Sequence, residues 1–580
     1  MKNQEIAKIF YNLATYLHMD DVPFKPQAYE RAASAVESLS QDVEELYKTE
    51  GLKGLEKIPG VGKGIAERIE EYLKTGNVQD YEAYRKKYPI DLDELSSVEG
   101  LGPKSIRELY EKLRVQNLKD LEQAAKGGKI RRLSRFGEKS EQNILQGIEF
   151  VKRSKGRWLL GTIYPYVEEI VAMLHASGFT KQVVPAGSIR RMKETIGDVD
   201  ILATSKNPKK LIEYFISKVP YNKLWGKGPT KVSVHTLHGF DIDVRVLPEE
   251  VFGAGLQYFT GSKEHNVKLR TLAIQKGYKL SEYGLVKGKK RVACKTEEEV
   301  YKVLGMEYIE PEMREDQGEI EASLERRLPT PIPYGSLQGD LQIQTNWTDG
   351  NNSIEEMARE AKKQGLEYIA ITDHTKDLAM TGGSDEKKLL RQMAEIDRVN
   401  SKFEFRNSKF RILKGAEVNI RKDGTLDIGD DVLAKLDLVG AAVHSNFKMT
   451  KKDMTQRILR AMRNPHVDIL FHPTGRSMPK RGEYELDMDA IVKEAKKTGT
   501  LLEINAQPRR LDLRDVNIRK AVQAGVKLVI DSDAHHKDDL RFLKYGIAQA
   551  RRGWAQTIDV VNTLPLDKFL QTMKDRKNYG

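Results

Sequence analysis

Asp198 and Asp200 are two carboxylates in a short alternating segment, ten residues after the turn-forming pair Gly187 and Ser188. Alternate side chains of a β-strand leave the same face, so the two carboxylates are expected to point together. Converging carboxylates bind magnesium, which completes its coordination with phosphate oxygens. The amides and hydroxyl of the turn can form a concave site for those phosphates. The pattern therefore predicts nucleotidyl transfer, with positive charge added next to the turn by Arg190 and Arg191.

A second alternating segment, residues 239–245, offers a further acid at Asp243. Two-metal phosphoryl transfer needs such an acid to activate the attacking oxygen. An Asp-x-Asp pair by itself is more often a strand end at the surface, but three acids beside a Gly-Ser turn rarely coincide. Asp241 shares a face with Asp243, so the spacing alone leaves the choice between these two open.

These segments resemble the palm of family X DNA polymerases, the group that includes DNA polymerase beta. The resemblance continues through the segment at 258–262 (Tyr-Phe-Thr-Gly-Ser) and through Asn266 and Arg270, which follow at helical spacing. It implies a template-directed DNA polymerase that fills short gaps, with Mg²⁺ or Mn²⁺ as cofactor and with gapped or primer-template DNA and dNTPs as partners. The implied metal triad is Asp198, Asp200 and Asp243, with Asp243 nearest the primer 3′-hydroxyl. Polymerase beta carries an arginine at the position of Asp241, which is a departure.

The same resemblance implies which residues hold the incoming nucleotide: Gly187, Ser188, Arg191, Gly197, Tyr258, Phe259, Gly261 and Asn266. Ser188 and Arg191 would hold the triphosphate, and the Tyr-Phe pair would lie against the sugar. Asn266 would reach the minor-groove edge of the incoming base, while Arg270 would contact the templating strand.

The bulk composition is compatible with an enzyme that acts on nucleic acid. A chain of 580 residues is long enough for several domains, and a net charge of +12 favours a polyanionic partner. The single cysteine, Cys294, rules out an intramolecular disulfide and indicates a reducing compartment. We see no apolar run of membrane-spanning length and no signal-peptide stretch. We therefore expect a cytoplasmic, nucleoid-associated protein without membrane contact. The sequence does not imply an oligomer, so we expect a monomer.

The N-terminal third is predicted to be helical and contains a repeat. Residues 58–62 (Ile-Pro-Gly-Val-Gly) and 98–102 (Val-Glu-Gly-Leu-Gly) stand forty residues apart and resemble helix-hairpin-helix DNA-binding motifs. Their glycines permit a tight turn, and the amides that begin the next helix can face a phosphate oxygen without reading sequence. The expected DNA-binding glycines are Gly60, Gly62, Gly100 and Gly102. A third copy near 135–138 has lost its first glycine and is interpreted as a packing turn.

Residues 24–29 resemble the small domain in which this family holds the 5′-phosphate of a gap, and they imply Lys25 and Tyr29 as its contacts. Polymerase beta also removes a sugar phosphate there through a Schiff-base lysine, whose position is occupied here by Arg68. An arginine stays protonated and cannot serve as that amine nucleophile. We therefore expect no lyase activity by that route.

Beyond a charged and proline-rich stretch at 318–335, interpreted as a stiff linker, short β-branched runs alternate with amphipathic helices. This alternation is typical of a β/α barrel, whose site lies at the carboxyl ends of the strands. The metal-ligand residues of this region are Asp349, His374, Glu417, His444, His472, Asp533 and His535. The segments around the histidines resemble the PHP (polymerase and histidinol phosphatase) domain, which implies up to three metal ions and removal of 3′ nucleotides.

The opening strand of PHP domains reads Asp-Leu-His-x-His, whereas residues 340–344 read Asp-Leu-Gln-Ile-Gln. An amide oxygen is a poor substitute for imidazole nitrogen as a ligand of zinc or manganese. With Gln342 and Gln344 the first metal keeps only Glu417 and Asp533 from its usual set. The other ligands could still bind Zn²⁺ or Mn²⁺ in a partly degraded site. We expect the 3′→5′ exonuclease to be absent or much weakened.

Together the resemblances imply a multidomain α+β and α/β fold, with a helical helix-hairpin-helix N-terminal region, a nucleotidyltransferase palm with a mixed sheet, and a C-terminal distorted (β/α)7 PHP barrel. The expected boundaries are 1–80 and 81–150 for two helical DNA-binding parts, 151–250 for the palm, 251–317 for the nucleotide-selecting subdomain, 318–335 for the linker and 336–580 for the PHP domain. Two alternatives remain open. One is a template-independent nucleotidyltransferase, and the other is a PHP phosphoesterase or exonuclease that the front domains tether to DNA.

Overall fold

The computed structural model describes residues 2–39, 41–98, 101–154, 156–288, 290–292, 294–404 and 410–577. The N-terminal region is helical, as predicted, and its helices are α1 (Lys2–Met19), α2 (Lys25–Ser38), α3 (Val43–Glu56), α4 (Lys63–Thr75), α5 (Gln79–Lys87), α6 (Leu92–Ser96), α7 (Pro103–Leu113), α8 (Leu118–Lys126) and α9 (Glu138–Ser154). The side chains of Asp42 and Asn117 cap α3 and α8. Two apolar cores fill this region, and Tyr16 of α1 reaches the second by stacking on Tyr84 and Tyr88. Helix α1 therefore ties the two parts together.

The palm is built on a five-stranded mixed sheet. Its elements are β1 (Trp158–Leu159), α10 (Leu160–Ala176), β2 (Gln182–Ala186), α11 (Gly187–Arg190), β3 (Thr195–Ile196), β4 (Asp198–Thr204), α12 (Pro208–Lys218), β5 (Tyr221–Lys227), β6 (Lys231–Thr236) and β7 (Asp241–Val246). The sheet order is β2-β4-β7-β6-β5, and only the central pair, β4 with β7, is parallel. Val199, Ile201 and Ile242 alternate inward to the core, which turns the intervening acids to the opposite face.

A smaller subdomain follows the palm and comprises α13 (Phe252–Thr260), α14 (Lys263–Gln275), β8 (Lys279–Ser281), β9 (Gly284–Lys287), β10 (Lys290–Val292), α15 (Glu297–Val303) and α16 (Glu319–Leu324). Helix α16 lies inside the stretch predicted to be a linker. Its Ile320 belongs to the core of this subdomain, and Glu319 Oε1 lies 2.7 Å from His265 Nδ1. The first part of that stretch is therefore folded, because one buried hydrogen bond and one apolar side chain anchor it.

The C-terminal region is a barrel of seven parallel strands, which confirms the predicted (β/α)7 architecture. Its elements are β11 (Gly339–Ile343), α17 (Ile354–Lys363), β12 (Tyr368–Ile371), α18 (Glu386–Glu404), β13 (Arg411–Asn419), α19 (Asp430–Leu433), β14 (Leu438–Ala442), α20 (Lys451–Met462), β15 (Ile469–Leu470), α21 (Met488–Thr498), β16 (Leu501–Asn505), α22 (Asp515–Ala524), β17 (Leu528–Asp531), α23 (Leu543–Arg552) and α24 (Leu566–Lys577). The strands pair in chain order, and a parallel bridge from Ile343 to Ala534 nearly closes the barrel. Both faces of each strand are covered, so apolar residues dominate the strands.

The barrel packs directly against the back of the palm. Leu511, Tyr545 and Ala548 of the barrel belong to the apolar core of the palm. An ion pair crosses the same interface, where Arg476 Nη2 lies 2.8 Å from Glu194 Oε1. Among the described residues, no helix is long and apolar enough to cross a membrane.

Candidate active sites

The parallel pairing of β4 with β7 brings four carboxylates to one face of the palm sheet. Asp198 stands opposite Asp241, and Asp200 stands opposite Asp243. Three of these acids line a cavity of about 290 Å³ together with Trp225 and Ser233; they are Asp198, Asp241 and Asp243. The structure therefore brings together the residues that the sequence predicts as the metal triad.

Asp241 and Asp243 have different surroundings. Asp241 is exposed, and its Oδ1 accepts a hydrogen bond of 3.0 Å from Trp225 Nε1 and lies 2.7 Å from His235 Nδ1. Asp243 is half-buried, and its Oδ2 lies 2.9 Å from Lys231 Nζ and 3.1 Å from Arg245 Nη2. Of these two acids, Asp243 is the one that stands opposite Asp200 of β4; we call Asp200 and Asp243 the inner acids.

The pKa values of Asp200 and Asp243 are shifted in opposite directions. Burial raises the pKa of Asp200 to about 6, and the charges of Asp198 and Asp243 add to this rise. Burial would also raise the pKa of Asp243, but hydrogen bonds from Ser233 and Lys231 hold it below its ordinary value. Asp200 is therefore the acid whose negative charge is least compensated within the site.

The Gly-Ser turn lies directly against this acid. Helix α11 begins at Gly187, whose φ of +66° favours glycine, and a Cβ atom there would lie 3.2 Å from Asp200 Oδ2. The neighbouring arginines take different directions. Arg190 donates to both carboxylate oxygens of Glu297, at 2.9 and 2.6 Å. The charge of Arg190 is therefore neutralised by Glu297, whereas Arg191 pairs with Glu315.

Arg191 connects the turn to the segment predicted to select the nucleotide. Its Nε donates to Glu315 Oε1 at 2.9 Å, and its Nη1 donates to the carbonyl of Thr260. A Cβ atom at Gly261 would lie 3.0 Å from that Nη1, so glycine is required for this close approach. Gly197 is placed similarly, because its Cβ atom would lie 3.2 Å from Arg157 Nη1.

Tyr258 and Phe259 lie in the last turn of α13 as a half-buried, edge-to-face pair with ring centroids 5.2 Å apart. Asn266 on α14 donates to the carbonyl of Tyr258 at 2.7 Å and accepts from Gln257 Nε2 at 2.7 Å. Arg270 follows one helical turn later and is exposed. The two side chains therefore share one face of α14.

The predicted DNA-binding residues lie at helix starts in the N-terminal region. Gly62 and Gly102 are the N-caps of α4 and α7, and neither helix has a side-chain cap. Gly60 has a φ of +78°, whereas Gly100 lies outside the described residues. Two further contacts were predicted on α2: Lys25 begins it and is exposed, and Tyr29 packs on Phe10 with ring centroids 5.4 Å apart.

Three histidines of the barrel lie around one buried carboxylate at the carboxyl ends of its strands. Glu417 Oε1 lies 2.9 Å from His444 Nε2 and 2.8 Å from His472 Nε2, and Glu417 Oε2 lies 3.4 Å from His374 Nδ1. Asp349 Oδ2 lies 3.7 Å from a nitrogen of both His374 and His535. Two sets of donors are close enough to share an ion, Asp349 with His374 and His535, and His374 with Glu417 and His444.

Beside strand β11 the carboxylates of this metal-ligand cluster contact amide and guanidinium groups. Gln344 Nε2 donates to Glu417 Oε2 at 2.8 Å, and Asn505 Nδ2 bridges Gln342 Oε1 and Asp533 Oδ2 at 3.0 and 3.1 Å. Arg510 Nε lies 3.1 Å from the same oxygen of Asp533. Sequence reasoning missed Arg510, which has no metal-ligand signature and reaches the site only through the loop after β16. Amide and guanidinium donors thus occupy the carboxylates that a first metal ion would need.

Comparisons with known proteins match the successive regions of the chain to separate domain families. Family profiles match residues 255–315 as a DNA polymerase beta thumb, 1–78 as a helix-hairpin-helix domain, 92–149 as a SAM-like helix-hairpin-helix tandem and 340–507 as a PHP domain. Over 576 residues the chain is 38% identical to the DNA polymerase/3′-5′ exonuclease PolX of Bacillus subtilis (strain 168), with 98% of both chains covered. The chain belongs to the family X DNA polymerases with a PHP domain.

A second kind of relative matches the barrel. A probable phosphatase of Thermoanaerobacter sp. (strain X514) is 31% identical over 236 residues, which cover 39% of this chain and 89% of that protein. The helical region and the palm thus distinguish this family X polymerase from such phosphatases. The predicted family, the DNA polymerase class of enzyme and the PHP barrel are confirmed.

Proposed function

We propose that this family X polymerase fills short gaps in DNA during repair by template-directed, two-metal nucleotidyl transfer. The observation that carries the proposal is the parallel register of β4 and β7, which sets Asp200 opposite Asp243, with Asp198 two residues away on the same face of β4. The Gly187 turn against Asp200 supports it, since a triphosphate held there would lie next to the metal ligands.

The three carboxylates fit two hard cations, Mg²⁺ or Mn²⁺. All the side-chain donors are oxygens, and the pKa of Asp200 is raised by burial and by two neighbouring carboxylates, so a divalent cation would stabilise its charged form. When bound, such ions neutralise the charge on the transferred phosphoryl group and activate the attacking hydroxyl. By the family resemblance Asp243 would be the ligand nearest the primer 3′-hydroxyl, and it lines the cavity together with Ser233.

The remaining residues of the site orient the substrates. Ser188 and the amides of α11 face the triphosphate in this proposal, and Arg191 neutralises it. The Tyr258-Phe259 pair lies against the sugar, and its position is held through the hydrogen bond from Asn266 to the Tyr258 carbonyl. Asn266 then meets the incoming base and Arg270 the template, since both lie on one face of α14.

The helical region would hold the DNA on both sides of the gap. The first turns of α4 and α7 have no side-chain cap, so their backbone amides can donate to phosphates of the DNA backbone, except at Pro103, which has no N–H. Lys25 and Tyr29 would bind the 5′-phosphate. Arg68 donates to Asp80 at 2.8 Å, and we propose no lyase step through it.

Primer extension on nicked, gapped and recessed DNA, each with and without a 5′-phosphate, tests the proposal. We expect gapped DNA with a 5′-phosphate to be the best substrate and the inserted nucleotide to follow the template base. Asp198→Asn should abolish extension, while Asp241→Asn should keep most of it. Insertion that ignores the template base would favour a template-independent transferase. Any activity that survives Asp198→Asn would favour the PHP domain as the active part of the chain.

We also propose that the 3′→5′ exonuclease of this barrel is absent or much weakened. The first metal position does not fit an ion, because Gln344 donates a hydrogen bond to Glu417 and Arg510 forms an ion pair with Asp533, the two carboxylates that would hold it. The other two positions keep imidazole and carboxylate donors within reach of one another, so they fit Zn²⁺ or Mn²⁺. We therefore expect a barrel that binds metal ions but removes 3′ nucleotides slowly or not at all.

Release of nucleotides from a 3′ end in the presence of Mn²⁺ tests this second proposal. The wild-type chain should release few or none, and the double variant Gln342→His with Gln344→His should digest the strand. Robust digestion by the wild type that disappears in His444→Ala would contradict the proposal. Asp198→Asn serves as the matched background, since it removes polymerisation and leaves the barrel untouched.

A further inference from the structure

Helix α23 of the barrel ends in an arginine that reaches the polymerase side of the molecule. The side chain of Arg552 is 1% exposed. Its Nη1 donates to Glu315 Oε1 at 3.1 Å and to the backbone carbonyl of Arg191 at 3.0 Å, and its Nη2 donates to Asp515 of the barrel. The guanidinium of Arg552 therefore contacts the barrel, the palm and the smaller subdomain that follows the palm, which matches the polymerase beta thumb.

The carboxylate that Arg552 contacts is the one that holds the side chain of Arg191. Glu315 Oε1 accepts from Arg191 Nε at 2.9 Å, so a single oxygen serves both arginines. Lys193 Nζ lies 3.4 Å from the other oxygen. Burial opposes ionisation of Glu315, but the charges of Arg552 and Arg191 hold its pKa below the ordinary value. Glu315 is therefore an anionic bridge between the two guanidinium groups.

This bridge orients Arg191 before any ligand arrives. Its Nε and Nη1 are engaged by Glu315 and Thr260, and Gly261 leaves room for the guanidinium. Among the described residues Nη2 has no such partner and can donate to an anion. An arginine side chain carries about 2 kcal/mol of rotamer entropy, so a side chain held in place beforehand binds its ligand more tightly.

We propose that Arg552 is a positioning residue for the polymerase reaction, which fixes Glu315 and through it the guanidinium of Arg191 for the triphosphate of the incoming nucleotide. This inference rests on the proposed role of Arg191. The barrel thus supports nucleotide binding through the contacts of Arg552 with Glu315 and Arg191, independently of any reaction at its own metal cluster. A degraded metal site can then coexist with an intact barrel, because the barrel is needed for nucleotide binding.

The neighbouring residue offers a matched control. Arg551 lies on the same helix, is 10% exposed, and donates to Glu312 at 2.9 Å and to the Ile332 carbonyl at 3.1 Å. It makes an ion pair of similar burial with the same subdomain. Glu312 accepts a hydrogen bond from Tyr334 instead of contacting Arg191. Loss of Arg551 therefore weakens the interface without releasing the triphosphate arginine.

Single-turnover filling of a one-nucleotide gap by the full chain, titrated with dNTP, tests the inference. Arg552→Met should raise the apparent Kd of dNTP about tenfold, the range expected for a lost charge-assisted hydrogen bond. The maximal rate and the affinity for gapped DNA should change less than about threefold. Arg551→Met should leave the Kd of dNTP within about twofold, and Arg552→Lys should restore part of the affinity.

Arg191→Met distinguishes the proposed role of Arg191 in binding the triphosphate from the positioning role of Arg552. It should raise the Kd of dNTP at least as much, and adding Arg552→Met to it should have no further effect. If Arg191→Met leaves the Kd unchanged, the proposed role of Arg191 fails, and this inference with it. If Arg191→Met raises the Kd but Arg552→Met does not, or if Arg551→Met raises it equally, only the inference is overturned. Glu315→Gln removes the same bridge from the subdomain side and gives the deciding result if Arg552→Met does not fold.

Discussion

The two inner acids of the palm should respond to neutralisation with opposite signs. Asp200→Asn removes a charge that burial and two neighbouring carboxylates disfavour, so the palm without metal should become more stable. Asp243→Asn removes a charge that Lys231 and Arg245 contact at 2.9 and 3.1 Å, so the same palm should become less stable. Both variants should lose polymerisation.

The magnitude for Asp200 follows from its pKa. A rise from 3.8 to about 6 corresponds to about 3 kcal/mol of lost stability at neutral pH, since one pKa unit is about 1.4 kcal/mol. A carboxyl whose folded-state pKa is raised costs nothing below its unfolded value and the full amount above its folded value. The advantage of Asp200→Asn should therefore be close to 3 kcal/mol at about pH 8 and about 1 kcal/mol at about pH 4.5.

Hydrogen exchange of peptides from β4 and β7, in the presence of a chelator, measures this difference as a change in local opening free energy. Exchange should be slower in Asp200→Asn and faster in Asp243→Asn than in the wild type. Magnesium should slow exchange in the wild type only. Asp241→Asn is the control on the same face, and it should change little because Asp241 is exposed. Faster exchange in Asp200→Asn at about pH 8 would refute the reasoning.

Three further substitutions have definite expected outcomes. Glu297→Gln leaves the buried Arg314 and the half-buried Arg190 without their shared carboxylate, so the opening free energy of α15 should fall by about 3–5 kcal/mol in hydrogen exchange at neutral pH. Gly187→Ala forces a left-handed φ and places a methyl group 3.2 Å from Asp200 Oδ2, so gap filling should fall about a hundredfold while the melting temperature falls only modestly. Glu194→Gln breaks the ion pair with Arg476, so proteolysis at the palm-barrel interface should speed up at neutral pH. That difference should vanish as the pH falls from about 4.5 towards about 2, because Arg476 lowers the pKa of Glu194 to about 2 against the effect of burial.

The local features of this polymerase were predictable because they depend on residues close in sequence. The Gly187 turn, the alternating acids of β4 and β7 and the helix starts at Gly62 and Gly102 all follow from backbone preferences over a few residues. Strand β13, which carries Glu417, lacks such a signal. It contains Arg411, Lys414 and a glycine, and it is a strand because its neighbours on both sides complete its hydrogen bonds.

The sequence by itself determined the family, the order of the domains and the residue types of the sites, because alternation and motif spacing are written along the chain. Only the tertiary structure decided which of these residues meet. Arg190 and Glu297 are 107 residues apart, and Arg552 reaches the carbonyl of Arg191 across 361 residues. The choice between Asp241 and Asp243 depends on strand register, and the position of Arg510 depends on how a loop closes over the barrel. Contacts of this kind are set by packing between distant elements, which no local pattern specifies.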